Sequence, residues 1–207
     1  MPLRPLIATL SVTAALSVAA FAGVSPMPTP NLAFAQATSA AEIAPPPPLA
    51  AENSYLTNTE TATFRGTIAD FRAFGEENPV TDFVAVTDSI PPIVNITVLS
   101  GTWPEVGAVR RVDLEGGYHV HERVLENSAN RFAYQLWDIT APSGRVVDHI
   151  MGSFDYTQTG DQVRVEWNYN IKPNLFLARP AIRRYLRRDF GPFMEAGLTG
   201  QVAAYQR

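Results

Sequence analysis

Residues 117–126 read GYHVHERVLE and hold two of the chain's three histidines, His119 and His121, with Glu122 beside them. Two imidazoles this close can hold a transition-metal ion if further donors join them, or move protons within a pocket. On an extended strand the side chains of His119 and His121 point one way and that of Glu122 the other. The third histidine follows an aspartate, but neighbours on a strand project to opposite faces, so Asp148-His149 is not read as a catalytic pair. No serine stands in a nucleophile-elbow pattern, and neither a phosphate loop nor a dinucleotide fingerprint is present. Cysteine is absent, which excludes disulfides, thiolate metal sites and a cysteine nucleophile.

A second set of residues has the chemistry of a pocket wall. Tyr134, Phe154, Tyr156, Trp167 and Tyr169 each fall on a two-residue alternation. Such a set packs a core, or lines a small-molecule cavity that needs aromatic walls and a few polar groups. Arg110, Arg111, Glu122 and Arg123 can supply the polar part, or pair with one another across strands.

Alternation also defines the elements that carry these side chains. VGAVRRVDL (106–114) puts Val106, Ala108, Arg110, Val112 and Leu114 on one side. In residues 118–126, Tyr118, Val120, Glu122, Val124 and Glu126 lie opposite His119, His121, Arg123 and Leu125. RFAYQLWDI (131–139) and DQVRVEWNYNI (161–171) alternate in the same way, the latter with Val163, Val165, Trp167, Tyr169 and Ile171 on one face. VVDHIMGSFDYTQ (146–158) supplies another long strand, in which Gly152 is expected to mark a bend or bulge. Turn residues separate these runs, as in an antiparallel meander. Residues 178–206 switch to helical periodicity, with Ile182, Tyr185, Leu186, Phe193, Gly197 and Leu198 on one face and a break expected at Gly191-Pro192. Residues 78–88 read as a short helix capped by Asn78, and Pro91-Pro92 precedes a second short segment.

The chain has 207 residues, 46% of them hydrophobic and 17% charged, enough for a leader and one domain with a core. Its net charge of −4 argues against a general nucleic-acid binder, which needs a basic surface. Residues 1–35 have the order of a secretory signal peptide: Arg4, an apolar run, then cleavage-type triplets at Ala20-Phe21-Ala22 and Ala33-Phe34-Ala35, so the cut falls at 35 or at 22. An uncleaved membrane anchor is the alternative. Residues 36–56 are rich in Ala and Pro and read as an extended linker, and residues 57–207 as the folded domain. Export places the protein in the periplasm or outside the cell.

Several stretches, taken in order, resemble the START-like helix-grip (SRPBCC) superfamily, which includes polyketide cyclase/dehydrase and lipid-transfer proteins. They are PVTDFVAVTDSIPP, SGTWPEVGAVRRVDLEGG, HERVLE, RFAYQLW, GSFDYTQTGDQVRVEWNY and the final helix. The resemblance spans residues 61–207 and implies an α+β fold: a curved antiparallel sheet wrapped around a long C-terminal helix, with two short helices after the first strand. It also implies a cavity between sheet and helix for an apolar or amphipathic ligand. The expected pocket residues are Tyr134, Phe154, Tyr156, Trp167, Tyr169, Arg111 and His121. A metal-binding cupin, with its His-x-His followed by Glu, fits less well: Asp113 stands where a glycine belongs and Val147 where the second motif needs histidine. The expectation is therefore an exported carrier or binding protein for a hydrophobic small molecule or lipid, without metal or cofactor. The alternative is a cyclase/dehydratase-like enzyme with acid and base groups in the cavity. Membrane contact is possible on this reading but not indicated, and the sequence sets no oligomeric state.

Overall fold

The computed structural model describes residues 43–84 and 90–207. The expected leader and the first part of the linker lie outside them. Seven antiparallel strands form one sheet: β1 (Leu56–Arg65), β2 (Ile93–Ser100), β3 (Val109–Leu114), β4 (Tyr118–Ser128), β5 (Arg131–Trp137), β6 (Val147–Thr159) and β7 (Gln162–Pro173). Their spatial order is β1-β7-β6-β5-β4-β3-β2, so β2 to β7 form a meander and β1 closes it beside the last strand. Helix α1 (Ile68–Glu77) follows β1, and α2 (Arg179–Tyr185) and α3 (Gly191–Tyr205) form the long C-terminal helix, joined by a π-helical turn (Leu186–Phe190). This is the expected helix-grip arrangement.

The register sorts the side chains onto two faces. Tyr169, Gly152 and Tyr134 lie abreast on β7, β6 and β5, as do Trp167, Phe154 and Phe132. Val163, Val165, Trp167, Tyr169 and Ile171 are buried against Ile182, Leu186, Phe190, Met194 and Leu198 in one core. Each such apolar side chain contributes about 1.5–3 kcal/mol by leaving water.

The helix presents the expected face, with Ile182, Leu186, Gly197 and Leu198 buried and Tyr185 and Phe193 partly buried against the same core. Phe190 and Met194 join that face, and the rings of Tyr185 and Phe193 both stack on Phe190 at the π turn. Arg183, Arg184, Arg187 and Arg188 are exposed, as the periodicity implies. The short helices differ in place. The first is α1, directly after β1, and Thr67 caps it by accepting from the Asp70 amide at 3.1 Å. Within residues 78–88 the described part is a single 3-10 turn (Val80–Phe83), and residues 85–89 are not described. Pro91-Pro92 leads directly into β2.

Two further expectations change. Gly152 marks no bulge, since β6 pairs in register on either side of it. It seats a ring instead: a Cβ built there would fall 2.1 Å from Cζ of Tyr134. The later part of the Pro-rich segment, expected to be an extended spacer, lies as a strap on the outer sheet face. Trp137 Nε1 donates to the Ala44 carbonyl at 2.7 Å and Gln135 Nε2 to that of Pro47 at 2.9 Å. Its end is pinned by Tyr55, whose hydroxyl accepts from the Ala50 amide and sits 2.8 Å from Nε2 of His149.

His149 is fully buried, with Nδ1 3.1 Å from the Asp148 carboxylate. The alternation rule failed for this pair because the register shifts between Val147 and His149, freeing Asp148 to turn back. Burial, the largest influence, lowers the pKa of His149, so it is neutral in the folded protein. The unfolded chain takes up its proton first as pH falls through about 6.5, so stability from this group is present above that pH and lost below it. His149→Gln is expected to flatten the fall in urea midpoint between about pH 7 and 5; an identical pH profile in the variant would refute the assignment.

Candidate functional site

Five of the seven expected pocket residues share the helix-facing side of the sheet. Phe154 stacks on Trp167 with ring centroids 5.0 Å apart, and Tyr169 packs on Phe190 at 4.1 Å. Tyr134 accepts a hydrogen bond from Trp167 Nε1 at 3.3 Å. Tyr156 lies against Phe71, with the Arg72 guanidinium 5.9 Å from its ring centre. Burial raises the hydroxyl of Tyr156 to about 12 and those of Tyr134 and Tyr169 still further, so all three are protonated donors.

Arg111 and His121 are not part of this group. They face each other across β3 and β4 on the outer side, where Arg111 Nε pairs with Asp113 at 2.6 Å and His121 lies beside Trp137. The register puts their neighbours inside instead. Arg110 faces Glu122 across the same strands, Nε to Oε2 at 2.6 Å, with its guanidinium 3.7 Å above the Trp103 ring. Glu122 is buried, and burial raises its pKa against the pull of Arg110. The pair lies among Val112, Val124 and Tyr134, all buried. Towards β2 the same face becomes open: Ile96 pairs with Val112 and Val98 with Arg110, and both aliphatic side chains are exposed.

The signal for this pair was in the alternation. Arg110 interrupts the run Val106, Ala108, Val112, Leu114, and Glu122 interrupts Tyr118, Val120, Val124. A charged residue in the apolar half of a strand has to be paired. Two broad surface grooves of about 500 and 520 Å³ lie elsewhere, one bordered by Phe176 and Arg179, the other by Ile68 and Arg72.

The outer face carries a second polar group. His119 Nε2 and His121 Nδ1 lie 3.3 and 3.2 Å from the same carboxylate oxygen of Asp138, the residue after β5. Burial lowers the pKa of His121 and favours its neutral form. Of the chain's histidines, none faces the helix.

Removing one partner of a buried ion pair leaves the other uncompensated. Arg110→Ala is therefore expected to cost about 3–5 kcal/mol in urea denaturation. Adding Glu122→Gln is expected to recover a large part, because the orphaned charge is gone; two additive losses would show that the pair is not energetically coupled.

Comparison with known proteins agrees with this architecture. The sequence model of the family described as "Polyketide cyclase / dehydrase and lipid transport" matches residues 79–205. No curated protein matches. Among solved structures, Ara h 8.0201 is similar over 72% of this chain and 99% of its own, at 10% identity and a TM-score of 0.53. The Zhui aromatase/cyclase from a Streptomyces species is similar over 74% of this chain and 94% of its own, at 17% identity and a TM-score of 0.51. A START superfamily protein from Mycobacterium smegmatis is similar over 72% of this chain and 97% of its own, at 15% identity and a TM-score of 0.50. At these identities the structural likeness speaks for the fold. With a family match over more than half its length and a seven-stranded sheet gripping a long C-terminal helix, the chain belongs to the polyketide cyclase/dehydrase and lipid transport family of the helix-grip superfamily.

Proposed function

We propose that the chain binds an amphipathic small molecule or lipid against the helix-facing side of the sheet and carries it without chemical change. The observation that supports this most directly is the Arg110–Glu122 pair, set in an apolar surface that runs out to exposed Ile96 and Val98. An apolar ligand body would cover the aliphatic side chains of β2 and β3 and gain about 25 cal/mol for each Å² removed from water. A ligand oxygen would accept from the terminal amino groups of Arg110, whose Nε is already committed to Glu122. The family description, which names lipid transport as well as cyclase and dehydrase activity, is compatible with this reading.

A second reading rests on Glu122. A carboxyl group held towards its neutral form by burial can protonate a carbonyl oxygen, with Tyr134 as a further donor on the same face. The chain would then be a cyclase- or dehydratase-like enzyme. We also propose that residues 1–35 direct export and are removed, which mass measurement of the mature protein from its host would check.

Native mass spectrometry of the protein from its own host tests the main reading. A retained lipid or aromatic molecule, lost or weakened about ten-fold in Val98→Asp and Arg110→Gln, is the expected outcome. Retention unaffected by either change would place the ligand elsewhere and overturn the proposal. Conversion of the retained molecule by the wild type but not by Glu122→Gln would replace carriage with catalysis.

A further inference from the structure

The outer-face group of two histidines and an aspartate is not used by the proposed function, and it gathers three potential metal-donor atoms in one place. His119 and His121 project from one side of β4, and the pairing of His121 with Trp137 brings the next residue, Asp138, alongside. Asp138 adopts φ 51°, a left-handed conformation that aspartate tolerates, as the chain leaves β5. The donor atoms of the three residues all lie within 4.8 Å of one another.

Two features distinguish this group from a surface charge cluster. The first is distance. A tetrahedral ion bound at about 2.0–2.1 Å sets its ligands roughly 3.3 Å apart. The carboxylate of Asp138 lies 3.3 Å from His119 Nε2 and 3.2 Å from His121 Nδ1. The second is an unmet need. His121 is 93% buried by its 7% exposure, and its Nδ1 has no hydrogen-bond partner among the described residues. The nearby carboxylate oxygen lies off the hydrogen-bonding direction, which leaves a buried ring nitrogen that a metal ion would satisfy.

We propose that His119, His121 and Asp138 form a three-ligand site for a divalent transition ion such as Zn²⁺ or Cu²⁺ on the outer face of the sheet. Two imidazoles and one carboxylate suit these borderline ions better than Ca²⁺ or Mg²⁺, which take oxygen ligands. The surrounding charges allow it. Arg111 faces His121 but is neutralised by Asp113, leaving Asp138 as the excess charge beside the two rings. Asp138 and His119 are partly exposed, so a fourth position is open to water or to a donor from outside. The ion would join β4 to the segment after β5 on the face opposite the proposed ligand surface.

The test is titration of the full, untagged chain with Zn²⁺ alone by calorimetry, and with Co²⁺ followed by visible absorption. One ion per chain is expected, with intense Co²⁺ d–d bands of low coordination number. Affinity should fall about ten-fold or more in His119→Gln, His121→Gln and Asp138→Asn, and stay unchanged in Asp161→Asn. His119 and Asp138 are partly exposed, so their variants should keep the fold, checked by circular dichroism. Weak binding without fixed stoichiometry, affinity indifferent to His119→Gln and Asp138→Asn, or a Co²⁺ spectrum like that of the hydrated ion would each overturn the proposal.

Discussion

Strand β7 lies between β1 and β6, and its five buried side chains on one face meet the C-terminal helix. That contact fixes which way the rest of the sheet must face. In an antiparallel ladder, residues paired across strands point to the same side, so the choice made at Val165 and Trp167 passes through Phe154 and Phe132 and on towards β2. A slip of one residue in the ladders between β7 and β4 would send Arg110 and Glu122 outward and Arg111 and His121 inward. The apolar contact between one strand and one helix therefore decides which charged residues meet the proposed ligand surface and which meet solvent.

Much of this could be read from the sequence because alternation is a strong signal. The β7 face and the helical switch after residue 178 follow from period alone, and the resemblance of several ordered stretches gave the fold. The aromatic set was identified by the same route, and all five members lie on one face. Arg111 and His121 lie on the outer face because period, and not residue type, assigns the side. Both are chemically attractive, yet each stands one residue away from the face that the neighbouring valines define. Gly152 misled for another reason: its role depends on Tyr134, a contact across strands that no local pattern displays. The Asp138 carboxylate beside the two histidines was hidden in the same way, because it comes from the next strand's end.

The two faces are built on different principles. The helix side is largely apolar, and the Arg110–Glu122 ion pair set in it is a cost offset by a close hydrogen bond and by contact with Trp103. The outer side is a polar surface partly roofed by the strap, which buries Gln135 and Trp137 by accepting their side-chain hydrogen bonds on main-chain carbonyls. Proline suits that task, since residues 45–48 offer carbonyl acceptors without amides that would need partners. A segment whose composition suggests a free spacer thus serves here as a cover.

The π turn in the C-terminal helix has a consequence for how the chain tolerates change in length. Ile182, Leu186, Phe190, Met194 and Leu198 are buried at intervals of four residues. In an unbroken α-helix each such step would advance by roughly 40°, carrying the last of them well round the cylinder. The wide turn at Leu186–Phe190 absorbs about one surplus residue and keeps both halves directed at the sheet. The helix therefore holds one residue in reserve, at one place. Loss of a residue within that turn would tighten it to an α turn and leave Met194 and Leu198 seated. The same loss one turn later would swing Leu198 by roughly 100° towards water.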